Sequence, residues 1–354
     1  MGAVMRIRSA QLKEVAVEIL KGFEATDEEA ALVGESLVRA DMRGIDTHGV
    51  HFLSLLARRI DARMISVPTR LTVVKDEGAI TLLDGGNGLG QVAAHRAMEM
   101  SVHKARTYGI GAALVRNTNH VGILAFYAIH AAWQGMVGIA MGNAAPAMAP
   151  WGGTEPFFGT NPLAIAVPNG AEEPVVLDMA SSLVARGKIR RAERMKESIP
   201  VGWALDEAGM PTTNPTAAMK GTLLPIGGPK GYGLAFMIDV LSGLLSGSQY
   251  GPSVKTFHEP AGPTGVGMCA MAIDIARFMP LDHFQFSLAR YLCMIRDSKK
   301  APGVSRIYVP GEIESEKEKR SEAEGIELSA SSVSHLNQLL ERVKSPLRLR
   351  EESC

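Results

Sequence analysis

The chain has 354 residues, of which 46% are hydrophobic and 21% charged, enough apolar material for a sizeable core split over two or more lobes. Lysine plus arginine and aspartate plus glutamate both count 37, giving zero formal net charge, so nothing global favours nucleic acid or an anionic membrane surface. Cys269, Cys293 and Cys354 show no CxxC spacing or zinc partner set, no stretch approaches an apolar span of about 20 residues, and the amino terminus lacks a cleavage-site pattern; a cytoplasmic protein acting on a small molecule is expected, bound to neither nucleic acid nor membrane.

Ser9 is placed to cap a helix through about Phe23, with Leu12, Val15, Ala16 and Ile19 on one face. Thr26-Asp27-Glu28-Glu29 has the form of a capping box and opens a second helix. That helix runs into residues 40–51 (ADMRGIDTHGVH), where glycine, aspartate and threonine break it and His48 and His51 stand three apart. After Gly49 a further helix through Arg59 is expected; if both histidines lay on it they would share a face and, with Asp46, make a candidate metal set, but no nearby cysteine or third histidine completes it, and no metal is expected.

From Thr69 to Leu83 the pattern becomes strand-like, broken at residues 75–78 (KDEG) by an expected hairpin turn. Residues 84–90 (DGGNGLG) then precede a helical pattern through Tyr108. A strand, a glycine-rich turn and a helix suggest a dinucleotide fold, but the third glycine position holds Gln91 and no alternating β-α units follow. Residues 109–115 (GIGAALV) read as a buried strand and 123–133 as a mostly apolar helix, with residues 116–122 (RNTNHVG) between them. Loops at strand ends carry chemistry, and histidine titrates nearest neutrality. His120 is thus either a candidate acid/base or a histidine satisfied by Asn117 or Asn119.

Beyond it, residues 137–141 read as a strand, and 143–161 (NAAPAMAPWGGTEPFFGTN) as an ordered loop around a pocket, too aromatic to be a linker. Residues 164–167 and 174–177 are short strands. The second ends at Asp178-Met179-Ala180-Ser181, a group suited either to anion binding with residues 185–188 (ARGK) or to Asp178 capping the following helix. Residues 225–233 (PIGGPKGYG) set Lys230 in a glycine-rich loop at the start of an apolar helix, an anion cradle without P-loop spacing. Residues 267–273 form an expected last strand, 281–296 an amphipathic helix, 312–324 a solvated charged helix or tether, and 333–343 a closing helix.

Taken in order, residues 40–50, 84–91, 117–122, 145–168, 177–188, 197–215, 224–247 and 309–312 resemble the malate/L-lactate dehydrogenase family, which also holds L-sulfolactate dehydrogenase, ureidoglycolate dehydrogenase and a cyclic imino-acid reductase. The resemblance implies a mixed α/β, non-Rossmann fold. A helical domain from both chain ends (1–66 plus 275–354) would stand beside a cofactor-binding and substrate domain (67–274) on a largely antiparallel sheet. It implies an NAD- or NADP-dependent enzyme interconverting 2-hydroxy and 2-oxo acids, acting as a homodimer. By the same resemblance His120 is the acid/base, Thr47 and His48 line the substrate side of the nicotinamide, and Ala144, Asp178, Met179, Ala180 and Lys230 contact the cofactor.

One departure stands out. The family pattern often places arginine and tyrosine, which help hold a substrate carboxylate, where this chain has Phe52 and Leu56. Losing the guanidinium leaves malate or lactate less secure as substrate: either Arg43, His51 or Arg59 compensates, or the substrate is larger and more apolar near that wall. Two other readings follow: a catalytically weak cofactor- or metabolite-binding member of the family, and a metal-dependent hydrolase using Asp46, His48 and His51. The choice between NAD and NADP stays open.

Overall fold

The structure is a computed structural model that describes residues 4–259 and 262–350. Strands β2 (Thr72–Glu77), β3 (Ile80–Asp84), β4 (Ile110–Thr118), β5 (Met136–Gly142), β6 (Leu163–Asn169), β7 (Glu172–Met179) and β10 (Val266–Asp274) form one sheet of seven strands in the order β2-β3-β4-β10-β5-β6-β7. Only β3 and β4 run parallel. β10 lies between β4 and β5 and sets Ala270 opposite both Ala113 and Ala140, all three fully buried. Their small side chains let helices α4 (Gly90–Tyr108) and α5 (Ala125–Ala132) sit close on this face, where Met98, Val102, Tyr127 and Ile129 complete the core. The fold is mixed α/β on a largely antiparallel sheet, as the resemblance implied.

A second apolar cluster draws on both ends of the chain: α1 (Ser9–Gly22), α2 (Asp27–Met42), α3 (Leu53–Asp61) and α11 (Ala330–Arg342). Strands β1 (Val4–Ile7) and β11 (Ile326–Ser329) pair antiparallel beside it, a pairing absent from the sequence reading. The capping box at Thr26 forms, and Glu29 also accepts from the Thr69 amide at 2.6 Å. Ser9 is no cap: Arg8 occupies that position, and the Ser9 hydroxyl donates to Glu322.

Residues 75–77 belong to β2, with the turn at Gly78 instead. The short pair β8 (Ala204–Leu205) and β9 (Thr222–Leu223), with α6 (Arg186–Met195) and α7 (Pro215–Lys220), packs around the 143–161 loop, whose Met148 bridges to Phe158 and Leu223. Helix α8 (Pro229–Asp239) continues into a π turn over Val240–Leu244. Helix α9 (Leu281–Arg296) buries only Leu292. The charged helix α10 (Glu312–Glu324) is less detached than its sequence suggested: Glu318 pairs with Arg39 at 2.8 Å and Arg43 at 2.6 Å, and Glu312 with Arg296 and Arg306. Among the described residues no helix is long and apolar enough to cross a membrane.

Candidate active site

The loop after β4 is held from both sides by Asn119, which is 1% exposed. Its amide nitrogen donates to the carbonyls of Asn87 and Gly88 at 3.1 and 2.9 Å, and its oxygen accepts from the Thr264 hydroxyl at 3.0 Å. The glycine-rich turn at 84–90 therefore supports the loop as a structural bracket. His120 follows, and the Gly122 amide donates to its Nδ1 at 3.1 Å. A nitrogen that accepts carries no proton, so the neutral ring holds its proton on Nε2. The expectation that Asn117 or Asn119 satisfies His120 is not met: Asn117 turns to Asp84 at 2.9 Å instead.

Aromatic rings enclose this histidine. Phe52 lies 4.4 Å from it, His48 5.1 Å and Phe257 5.8 Å, centroid to centroid. Burial is the main cause that holds the His120 pKa well below its ordinary value, with the positive forms of His48, His258 and His51 acting in the same direction.

His48 and His51 do not share a helix face. They occupy successive 3-10 turns, Asp46–His48 and Val50–Phe52, separated by the extended Gly49, and α3 begins only at Leu53. Asp41 forces this break: its carboxylate accepts from the Val50 amide at 2.8 Å, and a Cβ on residue 49 would fall 1.8 Å from one of its oxygens. The Thr47 hydroxyl reaches His48 Nδ1 at 2.9 Å, and burial, with His51 adding to it, lowers the His48 pKa to about 4. Among the described residues no three His, Cys, Asp or Glu side chains group as metal ligands.

The residues standing where arginine and tyrosine were absent form an apolar wall. Phe52 stacks on Phe257 at 4.9 Å, and Leu56 is 2% exposed. Two of the three expected compensators are engaged elsewhere. Arg43 is buried against Glu318, and Arg59 donates to the carbonyls of Phe257, Glu259 and Gly262 while covering the Phe257 ring. Arg59 thus holds residues 257–259 and Gly262, which brings Phe257 and His258 to the site. The sequence reading missed both; they lie in a stretch with no periodicity and no motif spacing.

Backbone bonds tie the residues around Ala144, and those following Met179 and Ala180 at the end of β7, to helix α8 and its approach. The Ala144 amide donates to Asn161 Oδ1 at 3.0 Å, and the Asn161 amide nitrogen donates to the Ala235 carbonyl of α8 at 2.9 Å. Ser181, next to Ala180, accepts from the Ile226 amide just before α8. Asp178 has a different surrounding: its carboxylate accepts from the Ala125 amide at 2.8 Å and fixes the start of α5, a helix earlier in the chain and not the one that follows it. Burial raises its pKa to about 6 against the opposing effect of that bond.

Lys230 is exposed in the first turn of α8. That helix start has no side-chain cap, follows Gly227 and Gly228 at φ of 61° and 64°, and faces open space at Gly227 and Gly233. Free first-turn amides beside a lysine fit a phosphate group of a dinucleotide. Helix α6 closes the other side, with Gly187 approaching so near Thr47 that a Cβ would stand 2.8 Å from its methyl.

The sequence matches the family model for malate/L-lactate dehydrogenase over residues 7–337. It is 39% identical over 316 residues to malate dehydrogenase of Pyrococcus abyssi, covering 87% of this chain and 86% of the relative. It is 37% identical to L-sulfolactate dehydrogenase of Methanocaldococcus jannaschii, covering 95% and 96%. The fold superposes on malate dehydrogenase from Entamoeba histolytica with a TM-score of 0.94, at 30% identity and 98% and 100% coverage. Other relatives carry their cofactor in their names, as ureidoglycolate dehydrogenase (NAD(+)) and (2R)-3-sulfolactate dehydrogenase (NADP(+)). Motif order, sheet topology and these matches agree: the chain belongs to the malate/L-lactate dehydrogenase family of NAD(P)-dependent 2-hydroxy-acid dehydrogenases.

Proposed function

We propose that this chain interconverts a 2-hydroxy acid and its 2-oxo acid beside the paired rings of His48 and His120, with His120 as the acid/base. The observation that carries this reading is the environment of His120: a half-buried ring flanked by Phe52 and Phe257, held at Nδ1 by the Gly122 amide and left with Nε2 for a substrate oxygen. Nicotinamide, when bound, supplies or accepts the hydride at the 2-carbon. Lys230 and the α8 amino terminus hold a phosphate, while Met179, Ala180 and the Ala144 backbone line the neighbouring cleft. Asp178 acts at one remove, by fixing the helix behind the His120 loop.

In the reducing direction charge develops on the carbonyl oxygen, and Nε2–H of His120 meets it. Delivery of the proton uses the doubly protonated ring, in which Nδ1–H gives up the Gly122 bond. The carboxylate of bound substrate favours that form, and the ring regains its Nε2–H tautomer by exchange with solvent. The rings of Phe52 and Phe257 exclude water from the reacting carbon. His48, half-buried and held by Thr47, packs against His120 and limits its rotation.

A homodimer is part of the same reading. Helix α9 leaves Phe286, Tyr291 and Met294 between 60% and 66% exposed, an apolar face suited to a second copy.

The experiment is a panel of 2-oxo acids tested with NADH and with NADPH. Oxidation of one reduced cofactor by at least one acid is expected. Tight cofactor binding with no oxidation across the panel would instead favour the catalytically weak, metabolite-binding alternative.

A further inference from the structure

The peptide link between Val121 and Gly122 is hydrogen-bonded at both ends. Its N–H, the Gly122 amide, donates to Nδ1 of His120 at 3.1 Å, and its carbonyl, that of Val121, accepts from the phenol hydroxyl of Tyr127. Tyr127 lies on α5 and is 0% exposed. Burial pushes its pKa above the ordinary value, so the phenol keeps its proton and remains a donor near neutral pH. Among the described residues the one side chain that acts on this phenol is Ser36 of α2, itself 1% exposed.

The path from the Tyr127 hydroxyl to His120 thus runs through a single conjugated amide. A donor on the carbonyl oxygen draws charge from the nitrogen, which strengthens the N–H as a donor on the other side. The backbone is fitted to this arrangement: Gly122 has a φ of 74°, and a Cβ there would stand 3.2 Å from the Ser36 hydroxyl. Gly90, at the start of α4, packs so near that a Cβ would lie 2.3 Å from the His120 carbonyl oxygen. Two helices therefore pin the turn that presents the ring, α4 at residue 120 and α5 at residue 121. A phenylalanine at 127 would fill the same volume; what the hydroxyl adds is the bond to the carbonyl.

We infer that Tyr127 is a positioning residue for His120: acting through the 121–122 peptide, it holds the Gly122 amide on Nδ1 and so keeps the proton of the neutral ring on Nε2, the nitrogen left for substrate. This rests on the proposed role of His120 and adds the group that sets its tautomer. A bond that Nδ1 accepts is lost when Nδ1 gains a proton, so the contact opposes the imidazolium in the same sense as burial and the neighbouring His48, His258 and His51. Two carboxyl groups at nearby helix turns titrate on their own, Asp178 on the Ala125 amide at about 6 and Asp41 on the Val50 amide at about 7. The His120 titration is therefore followed through the signals of its own ring.

The test is NMR on protein labelled with nitrogen-15 at histidine and glycine, the His120 signals being those absent from His120→Gln. In the wild type Nε2 is expected to carry the proton, and a scalar coupling across the hydrogen bond to link the Gly122 nitrogen to Nδ1. In Tyr127→Phe that coupling is expected to weaken and the His120 pKa to rise by about 0.5, the scale of a cooperative contribution to one hydrogen bond. The falling limb of kcat/KM for oxo-acid reduction moves to higher pH by the same amount, with cofactor affinity unchanged. A hydroxyl with a merely structural role would lower the unfolding temperature and leave coupling, tautomer and pKa in place; that result, or a proton on Nδ1 in the neutral wild-type ring, overturns the inference. If Tyr127→Phe does not fold, 3-fluorotyrosine at position 127 takes its place: a more acidic phenol of nearly the same size is a stronger donor, so the His120 pKa is expected to fall further, and an unchanged pKa overturns the inference. The NMR measurement needs no substrate, so failure to reduce any oxo acid would refute the catalytic role of His120 separately from the part played by Tyr127.

Discussion

His120 is half-buried among rings and accepts the Gly122 amide at Nδ1, and both features oppose its charged form. The sign for catalysis follows. Reduction needs the imidazolium, so its kcat/KM falls about tenfold per pH unit above the free-enzyme pKa. Burial sets that pKa well below 6.5, so the decline is expected throughout pH 6.5 to 8.5, while oxidation, which needs the neutral ring, stays flat. Asp178 and Asp41, raised by burial to about 6 and about 7, titrate near the same range. Repeating the profile in the Asp41→Asn and Asp178→Asn variants separates their effects; a reduction rate that rises with pH would exclude His120 as the acid. At this scale the sequence made His120 legible through its position after a strand, but left its partner unnamed, because the partner is a backbone amide with no side-chain signature.

The Thr47-His48 turn depends on Gly49, whose position against Asp41 leaves no room for a methyl group. Gly49→Ala is expected to cost about 1–3 kcal/mol in chemical denaturation, as overpacking does, and to reduce kcat/KM by displacing His48; unchanged stability and activity would show that the turn relaxes freely. Elements with strong local signals were readable: the α2 capping box, the apolar stripe of α1, and the helix from residue 90 to Tyr108. Long-range pairings were not. β1 meets β11 across the whole chain, and Asp178 caps α5 some fifty residues before it, so neither partnership leaves a trace in local periodicity. Residues 257–259 are the functional counterpart of this blindness, since bonds from Arg59 and the stack on Phe52 bring Phe257 to His120.

For the molecule as a whole, the exposed apolar face of α9 is a feature that a single chain leaves unexplained. A dimer is expected by light scattering at micromolar concentration, with Phe286→Glu shifting it to monomer; a wild-type monomer would remove α9 as an interface. The fold class followed from the ordered set of motifs, each weak alone, together with the missing third glycine at Gln91, which argued against a doubly wound sheet. The contact between Arg190 and His258 was not legible, because the two residues are far apart in sequence and meet only where α6 approaches residues 257–259. The most direct test of the account is His120→Gln, measured for reduced-cofactor binding by fluorescence and for turnover on the best oxo acid. Cofactor affinity within about threefold of the wild type, with kcat reduced by roughly 10²- to 10⁴-fold, is the expected result; wild-type turnover in that variant would contradict the assignment of His120 as the acid/base.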